Sequence, residues 1–241
     1  MIRDGSDIWV YLSQTPLLWL TLTLVAYGIG HTLFTRSGSN PVVNPVAIAA
    51  ALIAGVLVVS GTSYETYFEG AQFVHFLLGP ATVALAVPLY RHLPRVRRAA
   101  IPMLAALVAG TLTAASSAVG IAALMGADVQ TLLSLAPKSV TSPIAMGIAE
   151  RIGGLPSLAA GLVIATGIIG AVVVTPLMNA MRIRDWRARG FAVGIAAHGI
   201  GTARAFQVSP VAGVFAAVAM GLNGLITAIL VPVVATLFIA G

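Results

Sequence analysis

Residues 156–181 of this chain are PSLAAGLVIATGIIGAVVVTPLMNAM, an apolar run without a charged side chain. A helix that crosses a membrane needs about 20 mostly apolar residues, so this stretch predicts a membrane span. A basic cluster follows at once, formed by Arg182, Arg184, Arg187 and Arg189. Arginine-rich gaps between apolar spans are typical of cytoplasmic loops in membrane proteins that cross the bilayer several times.

The composition of the whole chain agrees with a membrane protein. Of the 241 residues, 59% are hydrophobic and only 8% are charged, whereas soluble proteins carry roughly 25% charged residues. The net charge of +6 does not predict a nucleic-acid partner, because the other arginine cluster, at 91–98 and thus the first along the chain, also lies between apolar runs. The absence of cysteine excludes disulfides, thiolate catalysis and cysteine-based metal sites.

Seven segments are predicted to cross the membrane. They are 16–34, 45–61, 73–90, 99–125, 156–181, the weaker 191–206, and 210–240. With both arginine clusters in the cytoplasm, Glu65, Glu69 and Asp128 fall outside, and the C-terminus is cytoplasmic. The sequence therefore predicts an all-α polytopic protein with about seven crossings, embedded in the lipid bilayer.

The single membrane domain, residues 1–241, contains two halves with similar patterns. Residues 79–86 (GPATVALA) align with 199–206 (GIGTARAF). Upstream, residues 44–48 (NPVAI) align with 142–146 (SPIAM). The matches predict a leading helix at 16–34, one repeat over about 44–125, and a second over about 142–240. The repeats would be inverted, with Gly/Pro-broken segments near the midplane, where many transporters bind their substrates. Chance matches between Gly/Ala-rich apolar segments are the alternative.

Arg204 is the strongest candidate for a binding residue. It lies within a weakly apolar span, where a cation costs roughly 2.5–3.5 kcal/mol or more, and no carboxylate lies within eighteen residues of it. Its planar guanidinium suits bidentate binding of a carboxylate. Glycines before it predict a broken helix whose free backbone N–H groups add affinity for an anion. An arginine that reaches the interface or pairs with Glu150 is the alternative. The candidates from this segment are His198, Gly199, Gly201, Thr202 and Arg204.

The segment 137–143, PKSVTSP, is the second candidate. Two prolines six residues apart are incompatible with a continuous helix, and the polar residues between them suit an unwound segment or re-entrant loop that lines a cavity. An external loop with a solvated lysine is the alternative. The candidates here are Lys138, Ser139 and Thr141. Weaker candidates elsewhere are Pro80, Thr82 and Asn223, and Asn223 would equally well hold helices together.

No enzyme, metal site or cofactor is predicted. The chain lacks the HExxH, GxSxG and GxxxxGK[ST] patterns, which carry zinc-dependent, serine-dependent and phosphate-binding chemistry respectively. It has only seven acidic residues, with none paired inside a span. Coupling to protons or sodium through carboxylates therefore has little support.

These motifs together resemble the LrgB/CidB family, which includes the bacterial YohK type and the LrgB-like half of the plastid glycolate/glycerate translocator. The stretches that carry the resemblance are 78–90, 136–146, 152–157, 198–204 and 220–230. They follow the family order over about residues 40–240. The resemblance implies either a carrier of small carboxylates such as glycolate, glycerate or pyruvate, or a holin/antiholin-like regulator of murein hydrolase activity and cell lysis.

The resemblance and the residues together favour the carrier. In that interpretation Arg204 binds the carboxylate, while Lys138, Ser139, Thr141, Thr82 and Thr202 supply further hydrogen-bond donors. The resemblance also implies a separate small membrane protein of the LrgA/CidA type as a partner, and it is compatible with a homo-oligomer.

Overall fold

A computed structural model describes residues 16–40, 42–77, 80, 83, 84 and 86–239 of the chain. These residues form α-helices joined by short turns, and none of them lies in a β-strand. The chain divides into two compact units, one that ends at Val87 and one that starts at Pro88. The prediction of an all-α protein is confirmed.

The helices of the first unit are α1 (Pro16–Arg36), α2 (Pro45–Ser60) and α3 (Tyr64–Phe76). α1 packs against both other helices, and Trp19 of α1 is buried where Gly70 of α3 leaves room for its ring. The start of α2 follows from the local sequence, because Asn44 Oδ1 accepts the N–H of Val46 at 2.9 Å and Pro45 suits the first helical position.

The later helices are α4 (Ala86–Arg98), α5 (Ala100–Leu124), α6 (Val129–Leu135), α7 (Ser142–Ile152), α8 (Pro156–Ala180), α9 (Trp186–Val208) and α10 (Pro210–Ile239). In the described part of the chain, α1, α5, α8 and α10 are long and apolar enough to cross a membrane, and α2 is a shorter apolar helix. These five helices match five predicted spans to within two residues at each end. The chain is a multi-pass membrane protein.

The predicted span 73–90 is not one helix in the described residues. α3 ends at Phe76 and α4 begins at Ala86, while Gly79 and Thr82 between them lie outside the described residues. Glu65 and Glu69, expected in an external loop, lie in α3, and the first arginine cluster lies in α4. Glutamate, arginine and leucine all favour helix, so these two polar segments, α3 and α4, are helical.

α9 is broken in the middle, and its chain turns back on itself. The backbone leaves the helical region at Ala197 (φ −129°, ψ 17°) and at His198 (φ 39°, ψ −131°). Beyond the break, Gly201 lies so close to Val193 that a Cβ on Gly201 would be 3.1 Å from the Val193 carbonyl oxygen. In a straight helix these residues would be about 12 Å apart along the axis. The two arms of α9 therefore form a helical hairpin, hairpin 2 (Trp186–Val208).

The packing of hairpin 2 on α10 gives the direction of its first arm. Gly190 and Gly194 pack, in that order, against the backbone of Ala212 and Ala216 of α10, so this arm runs parallel to α10. The second arm leads through Ser209 back to the start of α10, so it runs the opposite way. Hairpin 2 begins and ends at the same end of α10.

A second hairpin precedes α8. α6 and α7 are joined by the non-helical residues 136–141, as the two prolines predict, and we call residues 129–152 hairpin 1. A hydrogen bond links α6 to the residue just before α8: Ser134 Oγ accepts from the backbone N–H of Leu155 at 2.7 Å. Gly153, with φ of 87°, ends α7 in the left-handed conformation that glycine tolerates. The bond places the end of α6 beside the start of α8, where α7 also ends, so hairpin 1 returns towards the start of α8.

The prediction that residues 191–206 form one straight crossing is wrong, because these residues belong to hairpin 2. The break expected near Gly199–Gly201 is present at Ala197 and His198, but the segment returns to the side from which it entered, because the glycines let its arms approach each other closely. α10 then starts on the side of the second arginine cluster and ends on the other side. The cytoplasmic C-terminus expected from seven straight crossings does not follow from this topology.

Candidate functional site

Asn223, halfway along α10, joins the tips of both hairpins. Its Nδ2 donates to the backbone oxygen of Ser139 in hairpin 1 at 3.0 Å and to that of Ile195 in hairpin 2 at 3.1 Å. Its Oδ1 accepts a hydrogen bond of 2.6 Å from Thr111 Oγ1 of α5. The side chain is only 1% exposed, and its polar atoms are occupied by protein groups. This arrangement fits the alternative in which Asn223 holds helices together.

The hairpin tips lie at the middle of the long apolar helices. Thr111 and Asn223 are near the midpoints of α5 and α10, and Gly167, near the midpoint of α8, packs against His198. The first arm of hairpin 2 has a length of about 16 Å, which is half of a hydrocarbon core of about 30 Å. The tips therefore lie level with the middle of α5, α8 and α10, which are long and apolar enough to cross a membrane.

The tip of hairpin 2 is built around His198. The imidazole is buried, and its Nε2 is 2.9 Å from the carbonyl oxygen of Val163. The His198 carbonyl in turn accepts a hydrogen bond of 2.7 Å from Thr202 Oγ1. Gly199 faces Met220 of α10, and Gly201 is packed too tightly for a side chain. Protein groups thus fix the conformation of this tip.

The tip of hairpin 1 carries Lys138, the chain's only lysine. Its Nζ donates to Ser139 Oγ at 3.2 Å. Among the described residues, no carboxylate lies within ion-pair distance of it. Thr141 precedes α7 and makes no side-chain capping bond to that helix. The tip therefore combines one unpaired cation with hydroxyl groups.

Arg204 lies apart from this cluster, six residues beyond His198 and thus about 9 Å further along the second arm. It lines a cleft that also contains Trp186 and Arg189, at the base of hairpin 2. Its Nη1 donates to Gln207 Oε1 at 3.3 Å. The expected alternative, an ion pair with Glu150, is not found in the described part of the chain.

Two weaker candidates, Pro80 and Thr82, precede the second unit in the chain. Pro80 is an exposed residue of the first unit, and Thr82 lies outside the described residues. The described residues hold no cluster of three or more histidine or acidic side chains that is suited to a metal ion. The chain contains no free cysteine for such a site.

Sequence reasoning missed the polar network below the tips. Thr111 is one of four hydroxyl residues in the middle of the apolar helix α5, with Thr113, Ser116 and Ser117, and its hydroxyl donates to Asn223. The carbonyl oxygens of Ser139, Ile195 and Val163 are also part of the network. Hydroxyl residues at the centre of a span are a signal for such a network, but the sequence does not show which of the four takes part or identify its partner.

Comparison with known proteins identifies relatives over nearly the whole chain. The sequence model of the LrgB-like family matches residues 23–237. The "Uncharacterized protein YwbG" of Bacillus subtilis (strain 168) is 34% identical over 208 residues, which are 86% of this chain and 92% of the relative. The "Antiholin-like protein LrgB" of Bacillus mycoides (strain KBAB4) is 30% identical over 220 residues, which are 91% of this chain and 96% of the relative. No solved structure matches the chain.

Proposed function

We propose that this chain, which belongs to the LrgB-like family, is a carrier of small carboxylates such as glycolate, glycerate or pyruvate in the bacterial cytoplasmic membrane. The observation that carries the proposal is the meeting of two hairpin tips at Asn223, beside an unpaired Lys138, between the midpoints of long apolar helices. Discontinuous helices at the midplane are the usual substrate sites of secondary transporters.

The charge of the site favours a monocarboxylate. A cation within the membrane is costly unless it is paired, and Lys138 has no carboxylate partner among the described residues. A bound anion with one carboxylate would neutralise it, and the hydroxyl groups of Ser139 and Thr141 are donors beside it. The imidazole of His198 already has a hydrogen-bond partner within the protein, the carbonyl oxygen of Val163. We therefore assign His198 to the shape of the tip and not to the binding of the anion.

The hairpins also give the site access from two sides. Hairpin 1 ends beside the start of α8 and hairpin 2 begins beside its end, so the two enter from opposite faces of the membrane. Non-helical backbone at this depth is tolerated where it is buried in protein or lines a cavity. Movement of either hairpin away from Asn223 would open the tips to one face.

The carboxylate is assigned to Lys138 and not to Arg204. Both are cations without an acidic partner in the described residues, but Arg204 faces the cleft at the base of hairpin 2. Thr202 donates its hydroxyl to His198 and thereby supports the tip. The proposed contacts to substrate are therefore Lys138, Ser139 and Thr141.

The test is uptake of radiolabelled glycolate, glycerate and pyruvate by the purified protein in proteoliposomes. Lys138→Ala should weaken apparent affinity by roughly thirtyfold to several thousandfold, because the loss of one partner of a buried charge pair costs about 2–5 kcal/mol. Arg151→Ala removes an exposed cation from the same hairpin and should transport normally. Normal uptake by a well-folded Lys138→Ala protein would contradict the proposed site.

Amine labelling gives a second, direct measurement. Because Lys138 is the only lysine, an amine-reactive reagent followed by peptide mass spectrometry reports on this side chain alone. Glycolate, glycerate or pyruvate should slow the reaction if the carboxylate sits on the ammonium group, whereas chloride at the same concentration should not. Equal labelling with and without each acid would argue against binding at Lys138.

A holin/antiholin-like regulator without carrier activity is the second candidate, and the names of the relatives favour it. Such a regulator would act through a small LrgA/CidA-type membrane protein, which we propose as a partner in either case. Expression of Lys138→Ala in cells separates the two roles. A lysis phenotype that is unchanged by the substitution, together with no uptake by the native protein, would favour the regulator.

A further inference from the structure

We infer a second anion site in this protein, at the base of hairpin 2, which binds the phosphate group of an anionic phospholipid between Arg189 and Arg204. The cleft lies between the end of α8, both arms of hairpin 2 and the start of α10. The inference does not depend on the proposed transport, because Lys138 takes no part in it.

The state of Arg204 points to a missing ligand. Within the described part of the chain, its Nε is buried and has no hydrogen-bond partner, and Nη1 makes one long bond to Gln207. A buried donor without an acceptor is costly. An anionic oxygen in the cleft would supply the acceptor and neutralise the charge.

Arg189 is held in place on the other side of the cleft. Its guanidinium lies 4.9 Å from the centre of the Trp186 ring, and its Nε donates to the carbonyl oxygen of Ile183 at 2.6 Å. A further bond goes to the side chain of Asn179. These partners are neutral, so they orient the arginine without cancelling its charge.

Among the residues that the structure describes, no acidic side chain lines the cleft. Asp185 is the nearest carboxylate in the chain, and it is already paired with Arg187. The hydrogen bond from Arg187 lowers the pKa of Asp185, which keeps this carboxylate ionised and committed to that partner. No carboxylate is among the described residues that line the cleft, so two guanidinium groups face it together.

Two arginines favour phosphate over a single carboxylate. A phosphate diester offers oxygen atoms to both guanidinium groups, and arginine binds phosphate with paired N–H donors. The apolar side chains of Val174, Met178 and Val208 also line the cleft and suit the glycerol and upper acyl region of a lipid.

The position of the cleft favours a lipid over a soluble phosphate. It lies where α8 ends and α10 begins, which is the membrane surface if these helices cross. Trp186 is 40% exposed, as is usual for an indole at the interface. Trp186 also lines a further cleft that contains three arginines and one carboxylate, Arg98, Arg184, Arg187 and Asp185, so the surroundings carry a net positive charge. Basic pockets between helices at this level bind acidic headgroups.

The test measures lipid binding to the full-length protein after delipidation in a neutral detergent. Phosphatidylglycerol should raise the unfolding temperature more than phosphatidylcholine, and native mass spectrometry should retain bound phosphatidylglycerol. Arg204→Gln should weaken that binding at least about tenfold, because charge-assisted hydrogen bonds are lost. Arg204→Lys, which keeps the charge but not the planar fork, should fall in between.

The matched control is Arg97→Gln, which removes an exposed arginine from α4 and should bind like the native protein. Equal losses in Arg97→Gln and Arg204→Gln, or equal effects of both lipids on the native protein, would overturn the inference. Stabilisation by millimolar inorganic phosphate that depends on Arg204 would keep the phosphate site but assign it to a soluble phosphate. If Arg204→Gln does not fold, titration of Arg204→Lys with phosphatidylglycerol is the test, and an affinity equal to that of the native protein would overturn the inference.

Discussion

At Asn223 one carboxamide bonds to three other elements of the second unit: hairpin 1, hairpin 2 and α5. Asn223→Ala removes these bonds and leaves two carbonyl oxygens and the Thr111 hydroxyl buried without their partner. Hydrogen bonds between membrane helices are individually modest, but unsatisfied buried groups add to the cost. We expect the free energy of unfolding to fall by about 1–3 kcal/mol.

Chemical denaturation of purified variants measures this change. Thr227→Val is the matched control, because Thr227 reaches Asn223 only through a weak bond of 3.5 Å and its loss should matter less. Asn223→Asp keeps the shape but replaces the donor amide by an acceptor, so it should not rescue stability. A variant Asn223→Ala as stable as the native protein would show that the tips are held by packing alone.

At the scale of an element, hairpin 2 depends on glycines that face α10. A methyl group at Gly194 would collide with the Ala216 backbone and lie 2.8 Å from the Ala219 side chain. Gly194→Ala should therefore push the hairpin arm off α10 and lower the unfolding free energy by about 1–3 kcal/mol, the usual cost of overpacking.

The control for this substitution is Gly161→Ala in α8. No heavy atom lies within 4 Å of a Cβ built there, and alanine favours helix more than glycine by roughly 1 kcal/mol. Gly161→Ala should leave the unfolding temperature equal or slightly higher. If Gly194→Ala leaves the unfolding temperature as unchanged as Gly161→Ala does, that result would contradict the close packing of hairpin 2 on α10.

For the whole molecule, the two hairpins predict which surface residues share a side of the membrane. The native chain has no cysteine, so single cysteines can be labelled without background. Cysteines at Arg187 and Gln207, in the two arms of hairpin 2, should react with an impermeant maleimide from one side. Cysteines at Gln130 and Glu150, in hairpin 1, should react only from the other side.

Labelling of intact cells and inverted vesicles gives the sidedness, with total labelling in detergent as the control. The arginine cluster predicts that the Arg187 side is the cytoplasm. A cysteine at Arg187 that reacts on one side while one at Gln207 reacts on the other would restore a straight crossing over 191–206. That result would also return the C-terminus to the cytoplasm.

The sequence by itself determined the membrane class, five of the helices and the family. These features depend on local properties, since a long apolar run must be a helix in lipid and Pro45, Pro156 and Pro210 each begin a helix. The prolines around Lys138 likewise predicted a non-helical segment without any knowledge of its surroundings. The match between the two halves of the chain stays a prediction, since Gly79 and Thr82 lie outside the described residues.

Only the tertiary structure decided where the broken segments go. The break near His198 was expected, but a break alone does not say whether the chain continues across the membrane or returns. That depends on Gly194 and Gly201 fitting against α10 and the other arm, and on Asn223 bonding to groups 28 and 84 residues away. In the sequence, Lys138 and Arg204 are both cations without a nearby acidic residue. Only the long-range packing places Lys138 at the tip of hairpin 1 and Arg204 in the cleft at the base of hairpin 2.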